Sequence, residues 1–208
     1  MKISLTNAGK RFNHEWIFRK VDYTFLEGSS YAITGPNGSG KSTLLQAIGG
    51  ALALSEGEAT YSIDAPARKV EPDFAFRHIS IAAPYLELIE EMTVTEFLHF
   101  HQQFKPLLSS ITIPQIIETV GLSKAADKQI RFYSSGMKQR VKLAQAIFSH
   151  VDCILLDEPC TNLDAEGIAL YQRLIAEYGK GRTFIVSSND TQEYSFCEHR
   201  LSILDYKK

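Results

Sequence analysis

Hydrophobic and polar positions alternate along the first quarter of the chain in a way that fits strands better than helices. From Lys2 to Phe25 there is little helical period, and Trp16-Ile17-Phe18 and Val21-Asp22-Tyr23-Thr24-Phe25 alternate as half-buried strands do. Leu26-Glu27-Gly28 reads as a turn, Ser30-Tyr31-Ala32-Ile33-Thr34 as a short buried strand, and Thr43-Leu44-Leu45-Gln46-Ala47-Ile48 as the opening of a helix. Ser55-Glu56-Gly57-Glu58 predicts a turn, Ala59 to Ile63 a strand, Ala65 to Phe76 with its two prolines a loop, and His78 to Ala83 another strand. The early strands are expected to form an antiparallel layer.

Past Met92 the period lengthens. Thr93-Val94-Thr95-Glu96 carries a capping-box pattern, and Phe97, Phe100 and Phe104 recur at helical spacing, a stripe expected to be core. Ile113 to Val120 predicts a second helix closed by Gly121, and Val141, Leu143, Ala144, Ile147 and Phe148 mark a third. These helices predict a subdomain inserted at about residues 86–149 in one domain spanning 1–208. Val151 to Leu156 then reads as a buried strand, Asp164 to Tyr178 as a helix, Arg182 to Ser187 as a strand and Leu201 to Leu204 as the last one. Strands alternating with helices imply an α/β fold with a mainly parallel sheet.

Between the Ser30 strand and its helix lies Gly35-Pro36-Asn37-Gly38-Ser39-Gly40-Lys41-Ser42-Thr43, which fits the phosphate-binding pattern G-x-x-x-x-G-K-[ST]. The glycines let backbone N–H groups turn toward phosphate oxygens, Lys41 supplies a cation for the β- and γ-phosphates, and Ser42 is the expected Mg²⁺ ligand. A helix N-terminus after the loop adds partial positive charge where an anion would sit. The core is thus expected to be that of a P-loop NTPase. Downstream, Asp157 ends an apolar strand and is placed to serve Mg²⁺, directly or through water, while Glu158 is placed to polarise attacking water. Ser134-Ser135-Gly136 opens a helix with hydroxyls and free N–H groups.

Composition narrows the setting. The chain has 208 residues, 44% of them hydrophobic, and no apolar run approaches a membrane span of about 18 residues. No signal peptide is evident at Met1-Lys2-Ile3-Ser4-Leu5. A net charge of −2 gives no nucleic-acid footprint, so no nucleic-acid partner is expected. Cys153, Cys160 and Cys197 have no metal-ligand spacing, and an odd count argues against a secreted disulfide framework. The expected compartment is the cytosol. His99 and His101, two apart, face different sides of a helix and make a poor metal pair.

The order of these motifs, with Asn162-Leu163-Asp164 after the Asp-Glu strand end, resembles the ATP-binding cassette family, specifically a transporter's ATPase subunit, over nearly the whole chain. The resemblance implies that Gly35 to Thr43 are Walker A, Asp157 the Walker B aspartate, Glu158 the catalytic glutamate, and Asp164 the D-loop aspartate. It makes Tyr133-Ser134-Ser135-Gly136-Met137 the signature motif and Phe12 the aromatic that stacks on adenine. It implies ATP and Mg²⁺ as ligands, a second cassette as partner, identical or different, and an integral-membrane permease subunit that places the protein on the inner face of the membrane. The short chain looks like small exporter ATPases. Three features depart from the pattern: the signature carries Ser135 for a glycine and Met137 for a glutamine, and two further positions differ. Pro84 stands at the Q-loop glutamine, and Asn189 at the switch histidine, where it can donate a neutral hydrogen bond but not become cationic. A slow ATPase is expected; a soluble cassette ATPase and a nucleotide-gated dimerisation module stay open as alternatives.

Overall fold

The computed structural model describes residues 1–63 and 68–207. They fall into two compact units. The first comprises Met1–Ile81, Val151–Glu158 and Gly181–Lys208, and the second Ala82–His150 and Pro159–Lys180.

Two sheets build the first unit. Strands β1 (Lys2–Phe12) and β2 (Glu15–Phe25) form a long antiparallel hairpin, and β4 (Glu56–Ile63) and β5 (Arg68–Val70) extend it in the order β2-β1-β4-β5. The second sheet is parallel, in the order β6-β7-β8-β3-β9, with β3 (Ser30–Thr34), β6 (Ile79–Ala82), β7 (Cys153–Asp157), β8 (Thr183–Ser187) and β9 (His199–Ser202). All five residues of β7 and of β8 are buried, as expected of central strands in a parallel sheet. One apolar core joins the layers: Ile3, Phe18 and Phe25 of the hairpin pack in the same cluster as Ile33, Leu44, Leu45, Leu155 and Ile185. Within it, the Tyr61 hydroxyl donates to the carbonyl of Ile48 at 3.0 Å, tying the antiparallel layer to the end of helix α1 (Lys41–Ile48).

Several boundaries differ from the sequence expectation. Glu56 already belongs to β4 because the strand pairs with β1 as far as Gly9. The expected loop from Ala65 to Phe76 contains β5 and a 3-10 turn from Pro72 to His78, while its first residues lie outside the described ones. The final strand begins at His199 and gives way at Ile203 to a 3-10 turn. A four-residue helix, α6 (Thr191–Tyr194), follows β8.

The second unit is helical: α2 (Val94–Phe104), α3 (Ile113–Thr119), α4 (Ser135–Ile147) and α5 (Ala165–Tyr178). The Thr93 capping box forms, with the hydroxyl accepting from the Glu96 N–H and the Glu96 carboxylate accepting from the Thr93 N–H. A second one, on Thr112 and Gln115, starts α3. The aromatic stripe of α2 is not core along its length. Phe97 is buried, whereas Phe100 and Phe104 are 43% and 70% exposed and pack edge-to-face on each other at 5.1 Å. Burial in α2 comes instead from Val94, Phe97 and Leu98.

Candidate nucleotide site

The phosphate loop leaves β3, which lies between β8 and β9, and ends where α1 begins. Its shape depends on glycine at two positions. At Gly35 (φ +149) an added Cβ would sit 2.5 Å from Ile203 Cγ2 and 2.8 Å from Ser39 Oγ, and at Gly40 (φ +97) it would sit 2.3 Å from Ile17 Cγ2. Gly40 is also the N-cap of α1 and offers no side-chain cap, so the first N–H groups of the helix stay available to an anion. Lys41 is only 4% exposed, and its ammonium donates to the carbonyls of Gly35 at 2.9 Å and Pro36 at 3.2 Å. The cation is therefore held against the loop it follows.

The acidic end of β7 belongs to the same unit. Asp157 is 2% exposed, and burial pushes its carboxyl above the usual carboxylate range. The nearby Ser42 and Ser187 hydroxyls and the Lys41 charge pull it down, while the Glu158 charge adds to the rise. Glu158 adopts a left-handed backbone, φ 43, of a kind often found at functional sites, and its N–H donates to the Ser187 carbonyl at 2.9 Å. Three buried side-chain oxygens have no hydrogen-bond partner among the described residues: Ser39 Oγ, Asp157 Oδ1 and Ser187 Oγ. Such orphans are rare in folded proteins and call for a ligand or water.

These oxygens fit a nucleotide carrying Mg²⁺. The donors are hard oxygens from hydroxyls and one carboxylate, and no cluster of three or more His, Cys, Asp or Glu suited to a metal occurs among the described residues. A cation held here must bring oxygens with it, which is how Mg²⁺ binds with substrate phosphates.

Other predicted residues belong to the same unit or lie in the helical one. Phe12, at the end of β1, is 48% exposed, with the Lys10 ammonium 5.2 Å from its ring centroid. Asn189 follows β8 and donates from Nδ2 to Asn37 Oδ1 of the phosphate loop at 2.8 Å. In the helical unit Pro84 is exposed, and the Lys142 ammonium binds the carbonyls of Ala83 at 3.2 Å and Pro84 at 2.9 Å. Ser134 caps α4, accepting from the Met137 N–H at 3.2 Å, and Ser135 is exposed at the first turn. A Cβ on Gly136 would lie 2.9 Å from the Asn162 carbonyl oxygen, so glycine permits this close approach. Asp164 caps α5 through the Gly167 N–H at 2.8 Å, with the Arg140 guanidinium 3.9 Å away.

The first unit thus gathers residues 35–43, Asp157, Glu158 and Asn189, and the second holds residues 134–136 and Asp164. Sequence reasoning passed over Ser187 and the Asn37–Asn189 bond. The available signal for Ser187 was a polar residue at the end of an otherwise apolar strand, the same position Asp157 takes in β7.

The sequence model of the ABC transporter family matches residues 18–161. The Bacillus subtilis protein YybJ, described as an uncharacterized ABC transporter ATP-binding protein, is 30% identical over 204 residues, covering 97% of this chain and 92% of its own. The Nod factor export ATP-binding protein I of Bradyrhizobium diazoefficiens is 28% identical over 209 residues, 99% of this chain and 68% of its own. Among solved structures, MJ0796, a bacterial ABC transporter cassette in dimeric form, superposes with a TM-score of 0.79 at 25% identity, covering 97% of this chain and 94% of that one.

Proposed function

The chain belongs to the ABC transporter family as an ATP-binding subunit, and from that premise we propose that it hydrolyses ATP to drive an exporter. Cassettes of this family bind ATP or ADP, generally with Mg²⁺, dimerise, and work with membrane permease components. The observation that carries the reading is the set of orphaned buried oxygens on Ser39, Asp157 and Ser187 beside a loop whose lysine is already in place.

In this reading residues 1–208 act as one cassette. The loop N–H groups and Lys41 bind the phosphates, and Phe12 stacks on the adenine. Ser42 and Asp157 would hold Mg²⁺, which would supply charge neutralisation for the phosphates. Glu158 accepts the proton of the attacking water, and Asn189, oriented by Asn37, donates to the γ-phosphate without a charge of its own. Ser134, Ser135, Gly136 and Asp164 serve the nucleotide of a second cassette, since one loop and one signature per chain make half of a head-to-tail pair. Export rather than import is favoured by the role of the Nod factor relative. No helix of the described residues is long and apolar enough to cross a membrane. In this reading the cassette sits on the inner face of the membrane, bound through a permease.

Steady-state turnover by the purified chain beside Lys41→Ala and Glu158→Gln tests this. Loss in both variants is expected; a Glu158→Gln protein as fast as the parent removes Glu158 from the role of base. Pro84 and Asn189 favour one second reading, a nucleotide-gated dimerisation module. ATP-dependent dimerisation with no turnover, alone or with the permease, would establish it.

A further inference from the structure

Ser187 has no part in the motifs read from the sequence, yet it meets both acidic residues of the site. In register it pairs with Asp157 of β7 on one side and Ile33 of β3 on the other, so its side chain and that of Asp157 leave the sheet on the same face. Its carbonyl accepts the N–H of Glu158 at 2.9 Å and helps hold that residue in its left-handed conformation. Its hydroxyl is fully buried and makes no hydrogen bond among the described residues. A serine hydroxyl left without a partner in a fully buried strand costs stability. Alanine would fit the same space without that cost. The hydroxyl therefore has a use that the folded chain alone does not supply.

We propose that Ser187 is a positioning residue for a hydrated divalent cation that arrives with the nucleotide, its hydroxyl and Asp157 Oδ1 forming a donor–acceptor pair for the cation's water shell. This rests on the nucleotide-site reading above. Mg²⁺ dehydrates reluctantly and keeps several waters when bound through one or two carboxylates and phosphates, so a site that binds it needs polar groups facing those waters as well as direct ligands.

The test measures the thermal shift produced by a non-hydrolysable ATP analogue as a function of Mg²⁺ concentration, for the parent, Ser187→Ala and Ser188→Ala. The Ser188 hydroxyl instead accepts from the Asp190 N–H at 2.9 Å and serves as the control. Ser187→Ala is expected to raise the half-saturating Mg²⁺ concentration about tenfold, the effect of roughly one hydrogen bond in a charged setting. Its melting temperature without ligand should be equal to or above the parent's. An unchanged Mg²⁺ midpoint, an equal shift in Ser188→Ala, or a ligand-free melting temperature that falls would each overturn the proposal. A parent that shows no nucleotide-induced shift at any Mg²⁺ concentration would overturn the nucleotide-site reading itself, and this inference with it.

Discussion

The contact between the phosphate loop and the hairpin gives a prediction that can be worked through quantitatively. In Gly40→Ala, the new Cβ would lie 2.3 Å from Ile17 Cγ2, and the backbone at φ +97 is one that L residues rarely adopt. The backbone part costs about 1–2 kcal/mol. The steric part, an extra methyl forced against a branched side chain, adds about 1–3 kcal/mol. Together they come to about 2–5 kcal/mol, a fall in melting temperature of roughly 4–20 °C for a chain of this size. The two parts separate in a double-mutant cycle. Ile17→Ala removes Cγ2 and, at a half-buried position, costs on its own about 1–2 kcal/mol. In the double variant the clash disappears and the backbone strain remains, so about 1–3 kcal/mol should be recovered relative to the sum of the single variants. Thermal and urea unfolding of the four proteins measures this. Additive losses would refute the packing argument, because the Gly40 requirement would then be purely a matter of φ. Nucleotide affinity should stay low in both Gly40→Ala proteins whatever their stability, since the loop N–H groups cannot keep their directions.

Three further outcomes follow from the same structure. Tyr61→Phe leaves the Ile48 carbonyl without its 3.0 Å donor and should lower stability by about 1–2 kcal/mol, read as a melting-temperature drop of roughly 2–8 °C. Burial, with the Lys105 charge adding to it, pushes the His101 imidazole down from 6.5 to about 4. The unfolded chain takes up this proton first as pH falls, so the neutral imidazole's contribution is complete above pH 6.5 and is lost between 6.5 and 4. His101→Asn should therefore show a smaller melting-temperature drop from pH 7 to pH 5 than the parent; an equal drop would place the titration elsewhere. Phe104→Ser, at a 70% exposed ring, should leave the melting temperature within about 2 °C of the parent, in contrast to Phe97→Ser at a buried one.

What the sequence disclosed was mostly local. The Thr93 capping box, the Gly121 stop and the Gly35–Thr43 loop depend on residues a few positions apart, and each takes the expected form. Helical spacing identified the α2 face with Phe97, Phe100 and Phe104, but spacing cannot say where along the helix the covering neighbours end, and two of the rings lie beyond them. Strand β5 was hidden because Arg68-Lys69-Val70 has no strand pattern of its own. It is a strand through pairing, Tyr61 with Val70 and Ile63 with Arg68. Ser187 was missed for a related reason. Its meaning comes from register with Asp157, a partner 30 positions earlier on a different strand, and register in a parallel sheet leaves no mark in the local sequence.

The place of β3 in its sheet sets when the nucleotide site can come into being during synthesis. Tyr31 pairs with Ile185 on one side and with His199 on the other, so the strand that launches the phosphate loop has its sheet neighbours about 150 and about 170 residues downstream. At the usual elongation rates of about 5–20 residues per second, the loop sequence waits roughly 8–30 seconds on the ribosome before either neighbour exists. Contacts this distant in sequence are costly to close and form late. The antiparallel hairpin β1–β2, by contrast, is complete as soon as Phe25 has emerged. A nascent chain should therefore hold a folded hairpin with no capacity for nucleotide, and acquire that capacity only when β8 and β9 are added.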